Sequence, residues 1–161
     1  MSATLAVDSD ATLIAAVERH LEAQLTSARR LLELVLRQGA AIRERDVEAV
    51  MARLADMKAE MGTREMLERE RTALIDRVAG RLGIAPDEVT LGALCRLAGE
   101  QEAERLSARS VELRGLLAEI AREHGINRAL MRQELAFLDH LVRLIGAPAH
   151  NNGNQIMDVE A

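Results

Sequence analysis

EQEAERLSARSVELRGLLAEIAREHGINRALMRQELAFLDHLVRLI, residues 100–145, decides the fold of this chain. Leu106, Ser110, Leu113, Leu117, Ile120, His124, Asn127, Met131, Glu134, Leu138, Leu141 and Ile145 follow one another at alternating steps of four and three. That spacing is the seam of a helix lying lengthwise on other helices. No proline interrupts it, and at 1.5 Å per residue a helix of this length reaches roughly 65 to 70 Å.

Two earlier segments share the pattern. From about Asp10 to Arg43 the line runs Ile14, Leu21, Leu25, Ala28, Leu32, Val35, Ile42, with Glu18 and Gly39 as its weak points. Ser9, Asp10 and Thr12 are candidate N-caps, since each can accept from an unpaired first-turn amide. Arg45-Asp46-Val47-Glu48 reads as a restart, and whether it bends or breaks the rod is open. The second segment carries Val47, Val50, Leu54, Met57 and Met61, then Leu74, Ile75, Val78 and Leu82. Gly80, Gly83 and Pro86 stop it. Residues 84–99 form a connector in which Pro86 starts one short turn and Thr90 caps another, because sixteen residues of bare loop are unusual in so small a domain.

The composition agrees with helices. Among 161 residues stand 27 Ala and 24 Leu but a single aromatic, Phe137, and only 10 Gly and 2 Pro. Such a chain lacks the turns of an all-β fold. The expected architecture is all-α: an elongated antiparallel bundle of three long helices, one domain over 10–146, with mobile ends at 1–9 and 147–161. No stretch is apolar enough to insert in a membrane, and the lone Cys95 suits a reducing, cytoplasmic setting. Net charge is −5 with both signs interspersed, so no nucleic acid is expected as a partner.

The residues of catalysis do not assemble either. Three before His20, His124, His140 and His150 stand Val17, Ala121, Phe137 and Ala147, so no Glu-x-x-His pair is available to a metal. Phosphate-loop and dinucleotide motifs are missing. No enzyme activity, cofactor or metal is expected. Cys95 beside Arg96 reads as a small apolar residue rather than a nucleophile. His124 and Asn127 read as buried polar residues that fix register, with a pH switch at His124 as the alternative.

Apolar width changes along the third segment. Omitting Ala, residues 100–119 hold five apolar side chains and residues 126–145 hold ten: Ile126, Leu130, Met131, Leu135, Phe137, Leu138, Leu141, Val142, Leu144 and Ile145. Beside the seam a second line forms through Leu130, Phe137 and Leu144. It is either a partner surface, or the place where both other helices wrap this one, or a site of self-association. Met51, Met57, Met61 and Met66 pose the same question on the second helix, with core filling the simpler answer.

The chain resembles the FlgN-type flagellar export chaperones over roughly Asp10 to Gly146. The resemblance rests on Leu31-Leu32-Glu33-Leu34, the Arg45-Asp46 restart, the Arg77 to Gly83 helix end, and Asn127-Arg128-Ala129-Leu130 opening the run to Leu144. It implies a cytoplasmic, non-enzymatic type III export chaperone of hook-filament junction proteins, engaging helical C-terminal segments of those clients through its own C-terminal helical region. Mapped here, client binding falls to Leu130, Leu135, Phe137, Leu138, Leu141 and Leu144. The export gate or ATPase complex is implied as a further partner. However, the tail Tyr that the family associates with gate docking is missing, and this tail reads His150-Asn151-Asn152-Gly153. The competing reading is a structural homo-oligomeric coiled coil with no client.

Overall fold

A left-handed residue separates the first two helices. In the computed structural model, which describes residues 2–146 with side chains from Asp10 to Ile145, α1 spans Ser2–Glu44 and α2 spans Val47–Leu82. Arg45 between them has φ 57°. Its N–H reaches the Ile42 carbonyl at 3.1 Å and the Asp46 N–H reaches that of Ala41 at 3.0 Å. These two bonds satisfy carbonyls that the end of a helix leaves unpaired. Asp46 then opens α2 by accepting from the Ala49 N–H at 2.9 Å. The restart is therefore a reversal of the chain, and α1 and α2 are not one rod.

The other boundaries follow from equally local chemistry. Gly83, at φ 67°, closes α2, and the Ile84 N–H bonds back to the Ala79 carbonyl at 3.1 Å. Pro86–Glu88 forms one 3-10 turn, Thr90 caps α3 (Leu91–Leu97) by accepting from the Ala93 N–H, and α4 runs unbroken over Glu100–Gly146. One expectation fails at the other end. The first helix is already under way at Ser2, so Ser9, Asp10 and Thr12 lie inside it and not at its start. Asp10 instead holds Arg81 of α2. The expected tail at 147–161 lies outside the described residues.

Side-chain pairs give the directions. Asp10–Arg81, His20–Glu70 and Ser27–Glu60 join α1 to α2 with falling α2 numbers, so these helices are antiparallel. Glu18–Arg105, Arg29–Glu112, Val35–Asn127 and Arg45–Glu134 join α1 to α4 with both numbers rising, so these are parallel. The path is up, down, up.

The arrangement departs from a closed three-helix bundle. α2 and α4 each pack along α1 and scarcely touch one another. α1 is therefore the shared spine, buried on both flanks through Leu25, Ala28, Leu31, Leu34, Val35 and Ile42. A core drawn from all three long helices exists at one end, where Leu13, Ile14 and Val17 meet Leu74, Val78 and Leu106, and where α3 packs Leu91, Leu94 and Leu97 against them.

Candidate protein-interaction surface

The register of α4 on α1 is set by a close crossing. Gly39 of α1 is buried, and a Cβ placed there would stand 2.5 Å from the Asn127 Oδ1. Asn127, itself 2% exposed, donates from Nδ2 to the Val35 carbonyl at 2.7 Å and to Gln38 Oε1 at 3.4 Å. The weak point of the first seam is thus where the polar residue of the third seam docks. Asn127 is buried, as expected, and its hydrogen bonds tie α4 to α1.

With Asn127 fixed there, α1 runs out seven residues later on α4. The Arg45 guanidinium, in the turn that ends α1, lies 3.2 Å from Glu134 Oε2 and 5.6 Å from the centroid of the Phe137 ring. α4 continues through Leu135 to Gly146, and at 1.5 Å per residue these twelve residues extend about 18 Å past the last partner on α1.

Exposure follows that geometry. Leu106, early on the seam, is 0% exposed, whereas Leu135 is 64%, Leu144 63% and Ile145 84% exposed. Phe137 and Leu138 are also exposed, and Leu130 and Leu141 are half-buried. At 100° per residue, positions 135 to 145 of apolar type cover about half of the helix circumference, centred on the seam itself. Among the described residues the second half of α4 is therefore not wrapped by the other helices. Val142 and Ile145 belong to the same face. Both stood among the ten apolar residues counted in the sequence but outside the six assigned to client binding, which stopped at Leu144.

α2 adds a second apolar stretch at the same end of the molecule. Val47, two residues beyond Arg45, is exposed, as are Met51, Leu54 and Met61. Core filling by the seam residue Met61 is thus overturned, and Met57 is only half-buried. The first half of α2 is covered by α1 alone, so one narrow stripe is all it can hide. Flexible thioethers presented to water suit a surface that adapts to its ligand.

The remaining candidates lie elsewhere and do different work. His124 is exposed, not buried as expected, because α4 is covered from one side only and His124 stands at the edge of its seam. His20 is buried, with Nδ1 3.0 Å from Glu70 Oε2 and Nε2 3.3 Å from the Gln24 amide. Cys95 is half-buried beside the Ala103 carbonyl and the Ser107 hydroxyl, both 3.8 Å away. Among the described residues no three His, Cys, Asp or Glu side chains gather as metal ligands, and no helix is long and apolar enough to cross a membrane.

The family model described as FlgN protein aligns with residues 13–154, most of the chain. No curated protein and no solved structure matches.

Proposed function

Because the chain belongs to the FlgN family of flagellar export chaperones, a chaperone family and not an enzyme family, we propose that it shields hook-filament junction proteins in the cytoplasm before their export. The client segment is an amphipathic helix, and the apolar face of the second half of α4, from Leu130 onward, receives it. What supports this reading is a single observation: α4 carries Leu135, Leu138, Leu144 and Ile145, with Phe137 beside them, past the end of α1, and among the described residues all five are exposed. A soluble chain leaves so wide an apolar helix face in water when another molecule is to cover it.

The mechanism is burial. The client helix lays its apolar side chains against Leu130, Leu135, Phe137, Leu138, Leu141 and Leu144, extended by Val142 and Ile145. A few hundred Å² of apolar surface removed from water supplies several kcal/mol at about 25 cal/mol per Å², before the cost of ordering both partners. A client so covered cannot use that face to polymerise, and it stays competent for secretion. The export gate or ATPase complex would receive the loaded chaperone by contacts other than a tail Tyr, which this chain lacks.

Affinity purification of the full chain from a flagellated bacterium, with sequencing of what co-purifies, tests the assignment. Recovery of hook-filament junction proteins in stoichiometric amount is the expected result. Their absence from a preparation in which they are abundant overturns it.

A further inference from the structure

The second half of α4 carries uncompensated positive charge beside its apolar surface. Arg128 and Arg132 are exposed, and among the described residues neither has an ion-pair partner. Their neighbours along the helix explain this. Three and four residues from one or the other stand His124, Gly125, Ala129, Met131, Leu135 and Ala136, with no carboxylate among them. Arg143, by contrast, is held by Asp139 at 2.6 Å. Arg128 and Arg132, four apart, also repel one another, so this stretch favours an approaching anion.

The two arginines are continuous with bare apolar surface. Arg128, Arg132, Leu135, Leu138 and Val142 follow at steps of three and four and so share one flank of α4. Leu135, Leu138 and Val142 are 64%, 54% and 67% exposed. Read back from Gly146, the flank is apolar first and basic beyond.

The chain that continues from Gly146 has the matching order. A polar spacer, His150-Asn151-Asn152-Gly153-Asn154-Gln155, leads to Ile156-Met157 and then to Asp158 and Glu160, and residues 147–161 contain no Lys or Arg. Its length also fits. Gly146 to Leu135 is about 16 Å along the helix and Gly146 to Arg132 about 21 Å. A flexible linker has an r.m.s. span of about 16–19 Å over the ten residues to Ile156 and about 17–21 Å over the twelve to Asp158. Effective concentration is greatest when span and linker length agree.

We propose that residues 147–161 fold back along this flank, with Ile156 and Met157 against Leu135 and Leu138, and with Asp158 and Glu160 beside Arg132 and Arg128. The tail then competes within the molecule for the face that a client helix takes, and the client displaces it. That competition rests on the proposed function; the docking itself does not.

Disulfide equilibration in a glutathione buffer tests the docking in the full chain without a client. In a Cys95→Ser background, Leu135→Cys/Met157→Cys is compared with Gln133→Cys/Met157→Cys, whose exposed position 133 lies about 200° round the helix at nearly the same distance from Gly146. The first pair is expected to close at least about tenfold more favourably. Arg128→Glu/Arg132→Glu is expected to abolish that preference, and adding Asp158→Lys/Glu160→Lys to restore it. Equal closure of the two pairs overturns the proposal, as does a preference indifferent to charge reversal. Disulfides formed chiefly between molecules would make a second copy the occupant and overturn it too. For the competition, a chain ending at Gly146 is expected to bind the C-terminal segment of a hook-filament junction protein at least about threefold more tightly than the full chain. Equal, measurable affinities overturn the competition. Binding to neither chain would contradict the proposed function, and the cysteine pairs would still decide the docking.

Discussion

The Arg45 guanidinium meets the Glu134 carboxylate at 3.2 Å, and this contact divides α4 into a supported length and a free one. Below it α4 is held by α1 through Arg29–Glu112 and Val35–Asn127. Above it the Phe137 ring lies under the same guanidinium.

Arg45 occupies a left-handed backbone position that costs a residue with a Cβ about 1 to 2 kcal/mol. Arg45→Gly removes that cost together with an exposed ion pair worth under about 1 kcal/mol, so its unfolding free energy in urea should stay within about 1 kcal/mol of wild type. Arg45→Val, β-branched at the same φ, should fall about 2 kcal/mol below Arg45→Gly.

Gly39→Ala should destabilise by about 1 to 3 kcal/mol, although alanine ordinarily gains up to about 1 kcal/mol over glycine inside a helix. The new methyl group meets Asn127 Oδ1. Asn127→Ala removes that obstacle, so a double-mutant cycle should return a coupling energy of at least about 1 kcal/mol, with Gly39→Ala harmless in the Asn127→Ala background.

Arg81, by hydrogen bonding and then by charge, holds the Asp10 carboxyl below its ordinary value. A carboxyl whose folded value is depressed binds its proton more readily when unfolded, so the stability it confers is present above about pH 4 and disappears as pH falls through the folded value. Asp10→Asn should therefore be less stable than wild type at pH 6, and the two should converge on acidification toward pH 2 in thermal melts.

Sedimentation at micromolar concentration should show a monomer, since the proposed reading reserves the face around Phe137 and Leu144 for a client. A stable dimer that Phe137→Ser/Leu144→Ser dissociates would favour the self-pairing coiled coil.

Much of the helical layout was legible in the residues. The steps of four and three from Leu106 to Ile145 predicted one unbroken helix, and Asp46, Gly83, Pro86 and Thr90 marked boundaries because each acts through bonds to residues a few positions away. The start of α1 was not legible, because good N-cap residues also sit comfortably inside a helix when a partner such as Arg81 engages them. Nor did periodicity show where α1 stops covering α4. Leu138, Leu141 and Ile145 keep the seam's spacing with no helix opposite them, and the offset depends on a crossing between Gly39 and Asn127 that are far apart in sequence. His124 and Met61 face water for one reason: α2 and α4 each meet α1 alone over these lengths, so seam positions at the edge of the contact stay uncovered.

On the proposed reading, the free face of α4 captures the client. Calorimetric titration of wild type and Phe137→Ser/Leu144→Ser with the C-terminal segment of a hook-filament junction protein tests it most directly. At least about a tenfold loss of affinity is expected, given about 1.5 to 3 kcal/mol for each large apolar side chain buried, with an unchanged helical circular dichroism spectrum. Unchanged affinity in a folded variant would contradict it.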